Sequence, residues 1–267
     1  MAIEFIDVDY RQFFKKLNLK IKENQITSVV GKNGSGKTSF LKLLFGLDLN
    51  FTGKIIIDKK TISDETKNKE LIRLRENIFY LSQDYRNQLF NINVFEDIKY
   101  GVSSLDDNKL DELLKNFNLN RQILKRNYCE LSSGEIKKIL IISMFIKDSK
   151  IILLDDPTSA LEQKSISTLT KLLKKEKRKG KIIIIASQDS EFLVNISDKI
   201  IILDNGKFIE YENKYDFFTN QNLLSKCCLT MPNVLHFREN VLKRKNIKLV
   251  YRDNINDLIK DIYRNAK

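Results

Sequence analysis

Apolar positions along this chain follow two spacings. The runs "ITSVV" (26–30), "NIFYLS" (77–82), "IILLD" (151–155), "KIIIIA" (181–186) and "KIIIL" (199–203) are nearly continuous in Ile, Leu and Val. Such runs leave no polar face, which is the pattern of strands buried on both sides of a parallel sheet. Between them the apolar positions move to helical spacing, as Phe40, Leu41, Leu44 and Phe45 do in "SFLKLLFGL" and as the segment from Ser165 to Lys179 does again. Strands alternating with helices predict an α/β fold with a mainly parallel sheet covered on both sides. The first fifty residues read as two short strands, a loop and the strand "ITSVV", and "GKIIID" (53–58) adds another. Residues 84–148 are helix-rich, carrying "NVFEDIKYG", "DNKLDELLKNF" and "SSGEIKKILIISMF", and interrupt the sheet as an insertion. After Phe208 a tail holds two more helical patterns, "NVLHFRENVLKRK" and "INDLIKDIYR". The expected division is a main domain over 1–218 and an extension over 219–267.

Composition narrows the class. With 47 Lys and Arg against 35 Asp and Glu, the net charge is +12. That balance suits an anionic partner: a nucleotide, nucleic acid or an acidic membrane face. Richness in Ile, Asn and Lys also fits an AT-rich coding sequence, which accounts for part of the lysine. Cys129, Cys227 and Cys228 form no C-x-x-C pair, and the lone His236 completes no zinc site with them, so reduced thiols in a cytosolic protein are expected. "MAIEFIDVDY" is acidic where a secretory leader is basic, and no run reaches the ~18 apolar residues of a membrane span. The run "KLLKKEKRKGK" (171–181) has no interleaved aromatics and reads as a solvated helix end, so no nucleic-acid partner is expected.

Candidate chemistry begins at "GKNGSGKT", residues 31–38. A glycine-rich turn between a buried strand and a helix lines up backbone N–H groups at a helix N-terminus, a ready anion site. Gly31, Gly36, Lys37 and Thr38 fit G-x-x-x-x-G-K-[ST], with Lys32, Asn33, Gly34 and Ser35 completing the cradle. In that motif Lys37 reaches the β- and γ-phosphates and the Thr38 hydroxyl ligates Mg²⁺. A nucleoside triphosphate is therefore the expected ligand. Asp155 ends the strand "IILLD", where α/β sheets place ligands, and is the expected carboxylate on Mg²⁺. Asp156, next in the chain, is the candidate to orient or deprotonate attacking water.

"GKNGSGKT", "LSSGE" and "IILLDDPTSALE", in that order, resemble the nucleotide-binding subunits of ABC transporters, and the resemblance covers at least residues 1–218. It implies a P-loop NTPase with a RecA-like core sheet, antiparallel N-terminal strands and an inserted helical subdomain. It also implies a head-to-tail dimer, in which Leu131, Ser132, Ser133, Gly134 and Glu135 form the signature that caps the partner's ATP. By itself "LSSGE" equally reads as a capping box, Ser132 with Glu135. By resemblance Gln83 is the glutamine that contacts Mg²⁺ and water, and Tyr10 lies where an adenine-stacking aromatic is carried; a strand-edge tyrosine is the other reading. The finer likeness is to the ATPases of energy-coupling factor transporters, through "SQDYRNQLFNINVFEDIKYG" and the tail "LTMPNVLHFRENVLKRKNIKLVYRDNINDLIKDIYR". It implies a second ATPase subunit, an integral membrane coupling subunit, a substrate-binding membrane component, and a peripheral place on the cytoplasmic membrane face.

Three residues depart from that family. Its catalytic glutamate is Asp156 here, a carboxylate retracted by ~1.5 Å, and misplacement by ~1 Å costs on the order of 10²-fold in rate. Its switch histidine is Gln188, which donates a hydrogen bond but carries no proton relay. Its D-loop aspartate is Glu162. These departures lead to the expectation of a heterodimer in which the ATP on this chain's own loop is hydrolysed slowly. The other readings are a nucleotide-filled structural partner that leaves turnover to its mate, and the ATPase of another ABC transporter class.

Overall fold

The structure, a computed structural model, describes residues 1–245 and residue 260. In chain order the strands are β1 (Ala2–Tyr10), β2 (Phe14–Lys22), β3 (Ile26–Val30), β4 (Phe51–Ile57), β5 (Lys60–Ile62), β6 (Ile78–Leu81), β7 (Ile151–Asp155), β8 (Ile182–Ala186), β9 (Lys199–Asp204) and β10 (Lys207–Tyr211). The helices are α1 (Lys37–Leu44), α2 (Asn68–Arg75), α3 (Val94–Lys99), α4 (Asp107–Asn116), α5 (Ser133–Lys147), α6 (Gln163–Arg178), α7 (Ser190–Ile196), α8 (Lys214–Phe218), α9 (Gln221–Lys226) and α10 (Asn233–Lys245).

Six strands form the central sheet in the order β10-β9-β3-β8-β7-β6, parallel throughout except for the antiparallel β10 edge. The uniform Ile/Leu runs are explained by two cores. Ile182 and Ile184 of β8 face one core, shared with α1 and the N-terminal strands, while Ile183 and Ile185 face the other, shared with α5, α6 and α7. Both faces are covered, so alternation by polarity disappears. A second sheet, antiparallel, runs β2-β1-β4-β5, in agreement with the fold expected from the family resemblance.

Residues 84–148 carry α3, α4, α5 and three short 3₁₀ turns, a helical insertion between β6 and β7. Strand β10 extends the sheet into what reads from sequence as the start of the tail. Asn205 and Gly206, at φ 46° and 76°, make the two-residue turn of a hairpin with β9. The helical pattern "NVLHFRENVLKRK" forms α10; "INDLIKDIYR" lies outside the described residues apart from residue 260. Helices α8 and α9, not anticipated from periodicity, insert Phe217, Phe218 and Leu224 into the core that also holds α5.

The basic run at 171–181 is partly consumed in ion pairs. Lys177 pairs with Asp198 at 2.9 Å, and Lys179 and Lys181 share buried Glu176 at 2.7 and 2.6 Å. Among the described residues no helix is long and apolar enough to cross a membrane, and all three cysteines are free.

Candidate nucleotide site

Strand β3 delivers the chain into the loop 31–36 and α1 leaves it, as the motif requires. Gly36 is the residue preceding α1, at φ 102°, and a Cβ there would lie 2.9 Å from the Phe13 ring. Gly31 is forced by proximity: its Cβ would meet the Leu203 carbonyl oxygen of β9 at 2.4 Å. Only glycine lets the loop lie this close to its neighbours. The Lys37 ammonium donates to the carbonyls of Gly31 and Lys32 at 2.8 and 2.9 Å, which holds it across the loop; burial lowers its pKa.

The loop opens on a cavity of about 240 Å³, lined by Asn33, Gly34, Gly36, Lys37, Thr38 and Ser39 on one side. Gln83, Asp155, Asp156 and Gln188 line the other, so the structure brings together residues spread over more than 150 positions of sequence. Strands β6, β7 and β8 are neighbours in the sheet, and their C-terminal ends place these side chains side by side. Gln188 donates from Nε2 to the Gly31 carbonyl at 3.4 Å. Gln83 is exposed at the cavity wall, and the loop behind it is tied back by Gln88. That side chain donates to the Tyr80 carbonyl at 2.7 Å and accepts from the Ser82 amide at 2.9 Å.

Asp155 is almost completely buried, and burial raises its pKa, as does the charge of Asp156; a hydrogen bond from Thr38 and the charges of Lys37 and Lys137 pull it down. Its Oδ2 is buried without a hydrogen-bond partner, an expensive state for a carboxylate oxygen. A hard divalent cation between Asp155 and the Thr38 hydroxyl relieves that cost, and both are oxygen donors of the type Mg²⁺ takes. These residues therefore fit Mg²⁺. Asp156 sits at φ 49°, its amide donating to the Ala186 carbonyl at 2.8 Å.

Two expectations need adjusting. Tyr10 does not line the cavity: its ring is buried against Phe13 and Phe14 and its hydroxyl donates to Asp48 at 2.7 Å. Burial, then Asp48, pushes its pKa up to about 12. The ring at the cavity is Phe13, between β1 and β2. Glu162, read as a departure in the D-loop, is engaged within the chain: it accepts from Lys138 at 2.6 Å and from the Ser165 hydroxyl at 2.8 Å.

The signature residues Leu131, Ser132, Ser133, Gly134 and Glu135 lie outside this cavity's lining, at the start of α5. The capping box forms in full. The Glu135 amide donates to Ser132 Oγ at 3.2 Å, and the Ser132 amide donates to Glu135 Oε2 at 2.9 Å. Lys137, to which the sequence motifs give no role, lies next to the turn at Asp156. It is fully buried, and burial lowers its pKa to about 8. The available signal was its position: a lysine inside "GEIKKILIISMF", all of whose interior residues are buried, must find acceptors.

The ABC transporter family profile matches residues 14–159, more than half of the chain. Over 248 residues the chain is 32% identical to the energy-coupling factor transporter ATP-binding protein EcfA2 of Mycoplasma capricolum, spanning 89% of this chain and 86% of that protein. The protein of the same name from Clostridium perfringens strain SM101 is 30% identical over 239 residues, 87% of this chain and 82% of the relative. Among solved structures, cbiO1 of Clostridium perfringens, described as part of the ABC transporter complex cbiONQ, superposes with a TM-score of 0.69. It is 25% identical, and the match covers 91% of this chain and 95% of that one. The chain therefore belongs to the ABC transporter family as an ATP-binding ATPase subunit, most like those of the energy-coupling factor type.

Proposed function

We propose that this chain is an ATP-binding subunit of an energy-coupling factor importer, driving uptake of a small solute such as a vitamin or metal ion from the cytoplasmic membrane face. The observation that carries this reading is the division of the site. The phosphate loop, Gln83, Asp155, Asp156 and Gln188 line one cavity, and the signature lies outside it. A signature with no phosphate of its own calls for a second ATPase placed head to tail, whose loop it covers with the N-terminus of α5. Thr38 and Asp155 would hold Mg²⁺, with Gln83 lining the same cavity, and the ion would supply charge neutralisation for the phosphates. Phe13 takes the stacking role first assigned to Tyr10.

Support for a membrane partner comes from the segment that follows Gln83. Phe90 and Ile92 are 75% and 80% exposed, beside a groove of about 710 Å³ whose lining includes Phe95 and Leu124. Exposed apolar side chains next to an apolar groove mark a protein-docking surface.

Asp156 and Gln188 support slow hydrolysis on this chain's own loop, hence a heterodimer with one weak site. A nucleotide-filled structural partner is the limiting case of the same reading. The test is ATP turnover by the purified chain alone and with its partner ATPase. Slow turnover alone and strong acceleration on mixing are expected; vigorous turnover by the chain alone, abolished by Asp156→Asn, contradicts the weak site. Lys37→Ala is expected to weaken ATP binding by ~10- to 100-fold, since a hydrogen bond to a charged group is worth ~1.5–3 kcal/mol. Unchanged ATP affinity in a titration would remove the phosphate site itself.

A further inference from the structure

Helix α5 is buried on every side from Ile136 to Ile146, so Lys137 has to place an ammonium inside the protein. Three groups receive it. Its Nζ donates to the Asp156 carbonyl at 3.1 Å and to the Ser159 hydroxyl at 3.3 Å, and it lies 4.5 Å from the centre of the Tyr85 ring. Those groups come from two distant parts of the chain: the turn after β7 and the segment two residues beyond Gln83.

We infer that Lys137 is a positioning residue, holding the Asp156 turn in place and joining it to the segment that follows Gln83. The Asp156 backbone is in the left-handed region, where a residue with a side chain stays only if its surroundings hold it. Its amide is fixed by the Ala186 carbonyl on β8, and its carbonyl by Lys137 and by Ser159 Oγ at 2.9 Å. Lys137 is thus the contact by which α5 bears on the Asp156 carbonyl, while Lys138 engages Glu162 further along the same connection. Tyr85 closes the circuit: its ring receives the Lys137 ammonium and its hydroxyl donates to the Ser133 carbonyl at 3.3 Å, one helical turn back on α5. A displacement of the 83–92 segment, which ends at the exposed Phe90 and Ile92, would reach the Asp156 carboxylate and the first residues of the signature through one ring and one ammonium.

The inference rests on Asp156 handling the attacking water, and the experiment separates the two. With full-length chain in excess over [γ-³²P]ATP, phosphate release is followed over hours, so that even a slow site reports. Asp156→Asn, Lys137→Met, Lys137→Arg, Tyr85→Leu and the Tyr85→Leu/Lys137→Met pair are compared with wild type. Affinity for a fluorescent ATP analogue is measured in parallel. Lys137→Met is expected to slow release by ~10- to 100-fold, the range for a catalytic group misplaced by about 1 Å, with ATP affinity within about threefold. Lys137→Arg, which keeps the donors, is expected to recover most of the rate. The pair is expected to be no slower than Lys137→Met alone, because both changes break one linkage.

Release by Lys137→Met within twofold of wild type overturns the inference. So does Lys137→Arg as slow as Lys137→Met, or a loss of ATP affinity that accounts for the whole rate change. If Asp156→Asn releases phosphate as fast as wild type, the role of Asp156 itself falls, and the positioning role falls with it. If Asp156→Asn is slow while Lys137→Met is fast, only the positioning role is lost.

Discussion

At the mouth of the nucleotide cavity the ring of Phe13 lies against Gly36, while Tyr10 turns its own ring into the core and hands its hydroxyl to Asp48. Phe13 is half-buried and lines the cavity; Tyr10 is buried and does not. Base–aromatic stacking is worth ~1–3 kcal/mol. Phe13→Ala is therefore expected to weaken ATP binding by roughly tenfold or more without unfolding the protein. Tyr10→Phe should leave ATP affinity unchanged, and Tyr10→Ala should instead lower stability by ~3–5 kcal/mol, as large-to-small core changes do. Nucleotide titration and denaturant unfolding of the three variants check this together; a tenfold affinity loss in Tyr10→Phe with none in Phe13→Ala would return the role to Tyr10. The same scale contains Asp156. Its shortened side chain makes Asp156→Glu the substitution expected to raise turnover on this loop, by ~10-fold or more if geometry is the defect, as measured by phosphate release.

Among the elements, α5 has most to do. Its N-terminus presents the signature, closed by the capping box, and its second turn sends two lysines to the turn between β7 and α6. Lys137 takes the Asp156 carbonyl and Lys138 takes Glu162, just before α6. The hydrogen bond from Lys138 is the main cause that lowers the Glu162 pKa from 4.5 to about 2. A carboxylate held below its ordinary value stabilises the fold above pH 4.5, and that contribution is lost as pH falls from about 4.5 through 2. Because Glu162 is 53% exposed, solvent screens the pair and the contribution stays below ~1 kcal/mol. Urea unfolding of wild type and Lys138→Met across this interval should give a steeper loss of stability with acid in wild type. Parallel curves would mean the pair holds nothing. The D-loop glutamate thus reads as part of a strut between α5 and α6, and the weak-site proposal leans on Asp156 and Gln188.

At the scale of the whole molecule, the helical insertion carries two candidate contact surfaces close together: the Tyr128 amide donates to the Ile92 carbonyl at 3.3 Å, and the Leu131 amide to the Tyr128 carbonyl at 3.2 Å. One surface is the signature, and the other is formed by Phe90 and Ile92 beside the groove lined in part by Phe95 and Leu124. The buried Asp97 carboxylate holds the backbone between them: its Oδ1 accepts from the Asn91 amide at 2.8 Å and from the Phe90 amide at 3.3 Å. Replacing Phe90 and Ile92 together with aspartate is expected to leave ATP affinity of the purified chain unchanged and to abolish co-purification with the membrane subunit. Full recovery of the complex would mean the apolar surface has another use.

What the sequence determined by itself is contiguous. "GKNGSGKT" forms its turn from its own glycines, "LSSGE" caps its own helix, and the Ile/Leu strands announce a sheet covered on both faces. Each is written in consecutive residues, although Gly31 also answers to the distant Leu203 carbonyl. Which aromatic lines the cavity was not legible, because β1 shifts its pairing register between Phe5 and Val8 and again between Val8 and Tyr10. One extra residue in a strand reverses every later side chain, so Phe5 and Tyr10 both point inward although they lie five positions apart. Nor was Lys137 legible as a link, since its acceptors lie 19 residues along the chain at Asp156 and on the far side of the insertion at Tyr85. Only the packing of α5 beside β6, with Tyr85 and the turn after β7 converging on it, brings those groups to one buried ammonium, and long-range packing has no local signature in the residues that take part.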